Sequence, residues 1–143
     1  MIRRVGITGT HHGGTPAQLH SLRTFLTDLK PSRLDQGDCI GVDAEAALMA
    51  HAMGIWIVSH PPTNSWRRAF CHADEFREPK AYIKRDQDIV NETDMLIGVP
   101  YTSHEVLRSG TWATIRYAKK VNKIIYLIIP NGELLLFNKG KTI

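Results

Sequence analysis

Arg108-Ser109-Gly110-Thr111-Trp112-Ala113-Thr114-Ile115-Arg116-Tyr117-Ala118 puts small and hydroxyl residues a short loop after a hydrophobic strand and directly before a helix. α/β proteins hold phosphate at such junctions, because the first backbone N–H groups of a helix have no partner within it and its dipole favours an anion. Two similar junctions lie upstream, Thr8-Gly9-Thr10 after the first apolar run and Gly41-Val42-Asp43 before an alanine-rich segment. If the intervening strands are parallel, all three turns fall along one edge of one sheet.

The rest of the chain spells out that alternation. Val5-Gly6-Ile7-Thr8 reads as the first strand. Thr15-Pro16-Ala17-Gln18 combines a capping box with proline at the first helical position, and Leu19, Leu22, Leu26 and Leu29 share one face, predicting a helix from about Pro16 to Leu29. Arg33 to Gly37 holds a single apolar residue, so the next strand is expected from Cys39-Ile40. Ala44 to Met53 is a run of strong helix formers stopped by Gly54, and Ile55 to Val58 follows as a strand. Ser59 to about Pro79 shows no sustained period and reads as a long connection of the kind that covers a site. Tyr82, Ile83, Ile89 and Val90 have helical spacing, and Asp94 to Pro100 gives a buried strand. A helix from about Thr111 to Val121, a strand at Ile124 to Ile129 and an edge strand at Glu133 to Phe137 after the Asn131-Gly132 turn complete the chain. The expected fold class is α/β: residues 1–143 as one Rossmann-like three-layer domain, with a mainly parallel sheet and helices on both faces.

Composition bounds the function. The 143 residues, 43% hydrophobic and 22% charged, suit one globular domain. The longest apolar run, Ile124 to Pro130, falls far short of the ~20 residues a spanning helix needs, and the N-terminal run is too short for a signal peptide, so a cytoplasmic protein with no membrane partner is expected. Cys39 and Cys71 do not make a disulfide scaffold, Cys71-His72 lacks zinc-ligand spacing, and neither a metal nor a cofactor is called for. A net charge of +4 favours anionic partners without choosing among them, and the basic residues are dispersed rather than gathered in a tail.

Each candidate residue has a structural and a functional reading. Gly9, Thr10 and His11 either join strand to helix or bring N–H groups and donors to an anion. Gly41 and Asp43 either start and cap the following helix or contribute to a site, where the Asp43 carboxylate would accept ribose hydroxyls; Glu45 suits the helix dipole and is the second candidate acid. Ser109, Gly110 and Thr111 either cap a helix or bind phosphate. Trp112 shares a helical stripe with Ile115 and Ala118 and is assigned to the core. His60 to Phe70 mixes rings with Arg67 and Arg68, suiting a base and a phosphate or a loop packed on itself. Lys84, Arg85 and Asp88 read as surface charges of a helix.

Together the three junctions resemble the SLOG superfamily of Rossmann-like domains, which includes the DNA-processing protein A family and the Lonely guy phosphoribohydrolases. Val5-Gly6-Ile7-Thr8-Gly9-Thr10, Gly41-Val42-Asp43-Ala44-Glu45-Ala46, Arg85-Asp86-Gln87-Asp88-Ile89-Val90 and Ser109-Gly110-Thr111-Trp112-Ala113-Thr114 are similar, in this order, to segments of the DNA-processing protein A core. The resemblance implies that Arg85 adds charge to the site and that the protein is a homodimer. His11 stands where that family usually has arginine, and the chain has no room for its accessory domains. Relative to the phosphoribohydrolases, Gly110-Thr111 match, Leu107-Arg108 replace paired glycines, and Thr114 replaces the catalytic glutamate, so Asp43 or Glu45 would have to supply a carboxylate. The expected function is binding of a nucleotide or nucleotide-derived ligand through Gly9, Thr10, His11, Gly41, Asp43, His60, Arg85, Ser109, Gly110 and Thr111, as a sensor or sequestering module. The alternatives are N-glycosidic bond hydrolysis of a nucleotide and single-stranded DNA binding.

Overall fold

Strand and helix alternate through the computed structural model, which describes residues 3–137. The order is β1 (Arg4–Gly9), α1 (Pro16–Leu29), β2 (Arg33–Gln36), α2 (Val42–Ala52), β3 (Trp56–Ser59), β4 (Glu75–Phe76), α3 (Tyr82–Asn91), β5 (Met95–Val99), α4 (Gly110–Lys120), β6 (Ile124–Ile128) and β7 (Leu134–Phe137). One seven-stranded sheet runs β4-β3-β2-β1-β5-β6-β7, parallel throughout except for β7. The chain lays strands outward from β1 in one direction, then crosses back to place β5 on the other side of β1. The β1/β5 boundary is therefore a topological switch point, where the connections leave in opposite directions and open a crevice at the strands' C-terminal ends.

Alternation within the strands sends side chains to two cores. Val5, Ile7, Met95, Ile97 and Val99 pack with α1 and α2, whereas Leu96, Ile125 and Leu127 pack with α3 and α4. α1 begins as its capping box dictates: the Thr15 hydroxyl accepts from Gln18 N–H at 3.0 Å, and Gln18 Oε1 accepts from Thr15 N–H at 2.9 Å. Buried Gln18 also donates to the carbonyls of Pro100 and Ile128, tying this helix start to the ends of β5 and β6. Trp112, Ile115 and Ala118 are buried, as the helical stripe implies. No helix among the described residues is long and apolar enough to cross a membrane.

The second strand is not at Cys39-Ile40. β2 is Arg33–Gln36, and Cys39 makes only an isolated antiparallel bridge with Arg68. Asp35 is fully buried yet satisfied, taking Arg33 Nε at 2.6 Å and His60 Nε2 at 2.7 Å. Burial opposes ionisation of Asp35, but the Arg33 and His60 hydrogen bonds hold its carboxyl below the usual range. A polar network thus replaces the apolar pattern that marks most parallel strands.

Gly9 is glycine for packing. A Cβ there would lie 2.5 Å from Val42 Cβ, because the start of α2 presses on the end of β1. Gly9→Ala is expected to cost about 1–3 kcal/mol through overpacking, read as a lower urea midpoint. An unchanged midpoint would mean that α2 does not sit against this strand.

Candidate functional site

The crevice at the switch point is a cavity of about 640 Å³. The turn after β1 supplies Gly9, Thr10, His11 and His12 to its wall, the first turn of α2 supplies Asp43, and α3 supplies Tyr82, Arg85 and Asp86. The loop after β5 and the start of α4 add Tyr101, Thr102 and Arg108 to Thr111, and the long connection after β3 adds Asn64, Trp66 and Arg67. The three glycine and hydroxyl junctions converge because all follow parallel strands and so emerge at the same edge.

Ser109 caps α4 with its hydroxyl, accepting from Trp112 N–H at 3.2 Å, while Ala113 N–H goes to the Ser109 carbonyl. Gly110 and Thr111 N–H groups have no acceptor among the described residues, and a Cβ at Gly110 would meet nothing within 4 Å. Across the cavity Thr10 is buried and heavily used: its carbonyl accepts from Gly13 and Val42 N–H, and its hydroxyl oxygen accepts from His12 N–H at 3.1 Å. The hydroxyl proton remains free to donate.

The floor is an acid–base cluster. Arg85 is only 6% exposed, not the surface charge its helical spacing suggests. Its Nη1 donates to the carbonyls of Gly37 and His60, and its Nε to Asp86 at 2.5 Å. It fits because Gly37 has no side chain: a Cβ there would lie 2.5 Å from Arg85 Nη1 and 3.0 Å from Asp43 Oδ2. Asp43 does not cap α2. Gly41 is the cap, and Asp43 Oδ2 instead accepts from Cys39 N–H at 3.2 Å. Burial pushes the Asp43 carboxyl up to about 7 against the pull of Arg85. Burial also raises Asp86, which lies beside the Thr114 hydroxyl and was not a candidate from sequence. The Cys39 thiol, on the same wall, is pushed up to about 11 by burial and Asp43, so it stays protonated at neutral pH and is not a nucleophile.

Aromatic and basic groups form the rim. Arg67 stacks over Trp66 at 4.3 Å and its Nη1 lies 3.1 Å from His11 Nδ1. His11 stacks with His12 at 4.1 Å, and His12 with Tyr101 at 4.6 Å. Burial and then Arg67 keep the His11 pKa below its usual value, so the ring is neutral and accepts from the guanidinium.

Of the residues expected at the site, Gly9, Thr10, His11, Asp43, Arg85, Ser109, Gly110 and Thr111 line the cavity; Gly41, His60 and Glu45 do not. Gly41 has φ +89, and a Cβ would lie 2.6 Å from the His11 carbonyl carbon, so it lets two backbone segments touch. His60 is buried against Asp35 and reaches the site only through its carbonyl on Arg85. Glu45 accepts from Gly14 N–H at 2.9 Å and ties down the first turn instead of facing a ligand. Within His60 to Phe70, Phe70 is exposed under the Arg68 guanidinium, 4.5 Å from it, and does not line the cavity. Asp35, His60 and Glu92 bring ligand-type atoms within 4.8 Å of one another, but Arg33 and Arg77 already pair with these carboxylates, and their positive charge works against a cation there.

No family sequence profile matches the chain, and no curated protein sequence does. Solved structures do resemble it. A molybdenum cofactor binding protein from Rippkaea orientalis is 19% identical with a TM-score of 0.67, over 90% of this chain and 77% of that one. A molybdenum cofactor carrier protein from Chlamydomonas reinhardtii is 20% identical with a TM-score of 0.62, over 89% and 76%. DNA processing protein A from Streptococcus pneumoniae is 15% identical with a TM-score of 0.66, and this chain covers half of its length while 88% of this chain aligns. The chain has the Rossmann-like α/β fold of these structures.

Proposed function

We propose that the chain binds a nucleotide or nucleotide-derived molecule in the switch-point cavity, as a sensor or sequestering module. The observation that carries this reading is the convergence, on one cavity, of the partnerless Gly110 and Thr111 N–H groups, the Thr10 hydroxyl and a rim of aromatic rings. Phosphate suits the N–H groups at the positive end of α4. A planar base suits Trp66 and Tyr101, which keep large exposed areas. Two of the solved structures with this fold are described as a molybdenum cofactor binding protein and a molybdenum cofactor carrier, and they lend the reading only that such a fold can hold a small ligand.

A second reading, hydrolysis of an N-glycosidic bond, is favoured by one observation: Asp43 and Asp86 both face the cavity beside Arg85, and burial raises both carboxyls. Two carboxyls in differing environments can divide acid and base roles.

Incubation with AMP, GMP, CMP and UMP, read by thermal shift and by chromatography, tests both. Binding predicts a Tm that climbs with the concentration of at least one nucleotide while the nucleotide stays intact. Release of free base would establish the second reading. Salt-sensitive oligonucleotide binding with no mononucleotide effect would overturn both in favour of a single-stranded DNA binder.

A further inference from the structure

We propose that the cavity selects a ribose by its vicinal hydroxyls, with the Asp43 carboxylate as the specificity-determining acceptor. This rests on the nucleotide reading above and narrows it to ribonucleotides.

Three buried side-chain atoms among the described residues have no hydrogen-bond partner: Gln36 Nε2, Ser59 Oγ and Asp43 Oδ1. Of the three residues, only Asp43 lines the cavity. It is 6% exposed, so its free oxygen is poorly reached by bulk water, and a buried acceptor left empty is costly. The hydrogen bonds its neighbours make go elsewhere. Cys39 N–H is committed to Oδ2, and Arg85 turns its Nη1 to Gly37 and His60 and its Nε to Asp86. Oδ1 is therefore open to a donor from a ligand in the cavity.

The charges beside it fix the class of that donor. Arg85 repels a cationic group and Asp86 repels an anionic one, which leaves a neutral O–H or N–H. In a nucleotide with phosphate on α4 and base on the rim, the neutral donors left for the floor are the sugar hydroxyls. The open Oδ1 of the ionised carboxylate has two lone pairs and can accept from both of two neighbouring hydroxyls.

Proton linkage gives an independent readout. The groups facing Asp43 are the backbone N–H groups of Gly37 and Cys39, the Cys39 thiol, the Arg85 guanidinium and the Asp86 carboxyl; burial pushes Asp43 up to about 7 against the pull of Arg85 and the two N–H groups, with Asp86 adding to the rise. Hydroxyl donors favour its ionised form, so diol recognition strengthens as pH rises through neutrality.

The test is calorimetric titration of AMP and of 2′,3′-dideoxy-AMP into the folded chain at pH 6 and pH 8. AMP should bind about tenfold or more tightly, with the ratio larger at pH 8. The phosphate titrates identically in both probes and cancels from the ratio. In Asp43→Asn and Asp43→Ala, each confirmed folded by circular dichroism, the ratio should shrink and lose its pH dependence. Equal affinities for the two probes, or a full ratio retained in both variants, would overturn the inference while leaving the nucleotide reading standing. Failure of both probes and of the other ribonucleotides to bind would overturn that parent reading and this one with it.

Discussion

Gly110→Asp is expected to weaken nucleotide monophosphate binding by about a hundredfold or more while the chain folds as before. The fold tolerates the change for two reasons. A Cβ at Gly110 meets nothing within 4 Å, and a carboxylate in the first turn of α4 complements the helix dipole. The binding loss follows from the same geometry: the new carboxylate lies where the Gly110 and Thr111 N–H groups would receive phosphate. At an effective dielectric of about 20, two unit charges 4 Å apart repel by about 4 kcal/mol, enough for the expected loss. Gly110→Asn adds similar bulk without charge and should retain much of the affinity. Undiminished binding of AMP, GMP, CMP and UMP by folded Gly110→Asp would remove α4 from the phosphate assignment.

Arg85→Met should be the most destabilising single change at the site, by about 3–5 kcal/mol, because it leaves Asp43 and Asp86 facing each other in a buried cluster without their cation. The deficit should depend on pH. Asp43 ionises at 3.8 when unperturbed and at about 7 in the fold, so between those values the native chain holds a proton that the unfolded chain has released. Stability from this group therefore falls as pH rises through that window. Removing Arg85 raises the folded value further and prolongs the fall, so urea unfolding should show a larger deficit at pH 8 than at pH 5. A variant as stable as the parent at both pH values would mean that Arg85 does not hold the cluster together.

Much of the scaffold was legible because local chemistry and tertiary packing agree. The capping box at Thr15 and Gln18 starts α1 where the residues indicate, and buried Leu22 and Leu26 lie on its predicted face. The apolar runs of β5 and β6 are fully or nearly fully enclosed, and the Asn131-Gly132 turn returns the chain antiparallel into β7. β2 was missed because its burial is polar: Asp35 and Gln36 have no apolar signature, and what stabilises Asp35 are Arg33 on the same strand and His60 just past the end of β3. No window of sequence contains that pairing.

The site divided along the same line. Turns following parallel strands are legible, since the strands fix which edge they share. The floor was not, because the burial of Arg85 depends on Gly37, 48 residues away, lacking a side chain. Asp86 went unnoticed for the same reason: beside Arg85 on a charged helix it looks solvated, and only the approach of Thr114 and the turn of Arg85 toward it place it in the cavity. Conversely, His60 and Glu45 are polar groups near the right turns whose hydrogen bonds are already spoken for within the fold.

The central claim is that loops from separate parts of the chain form one receptacle for a phosphate and a ring. A crystal structure grown with AMP tests it most directly. Density for the phosphate on the Gly110 and Thr111 N–H groups, with adenine against Trp66 or Tyr101, is the predicted result. Phosphate bound away from α4, with the switch-point cavity still holding only solvent, would contradict it.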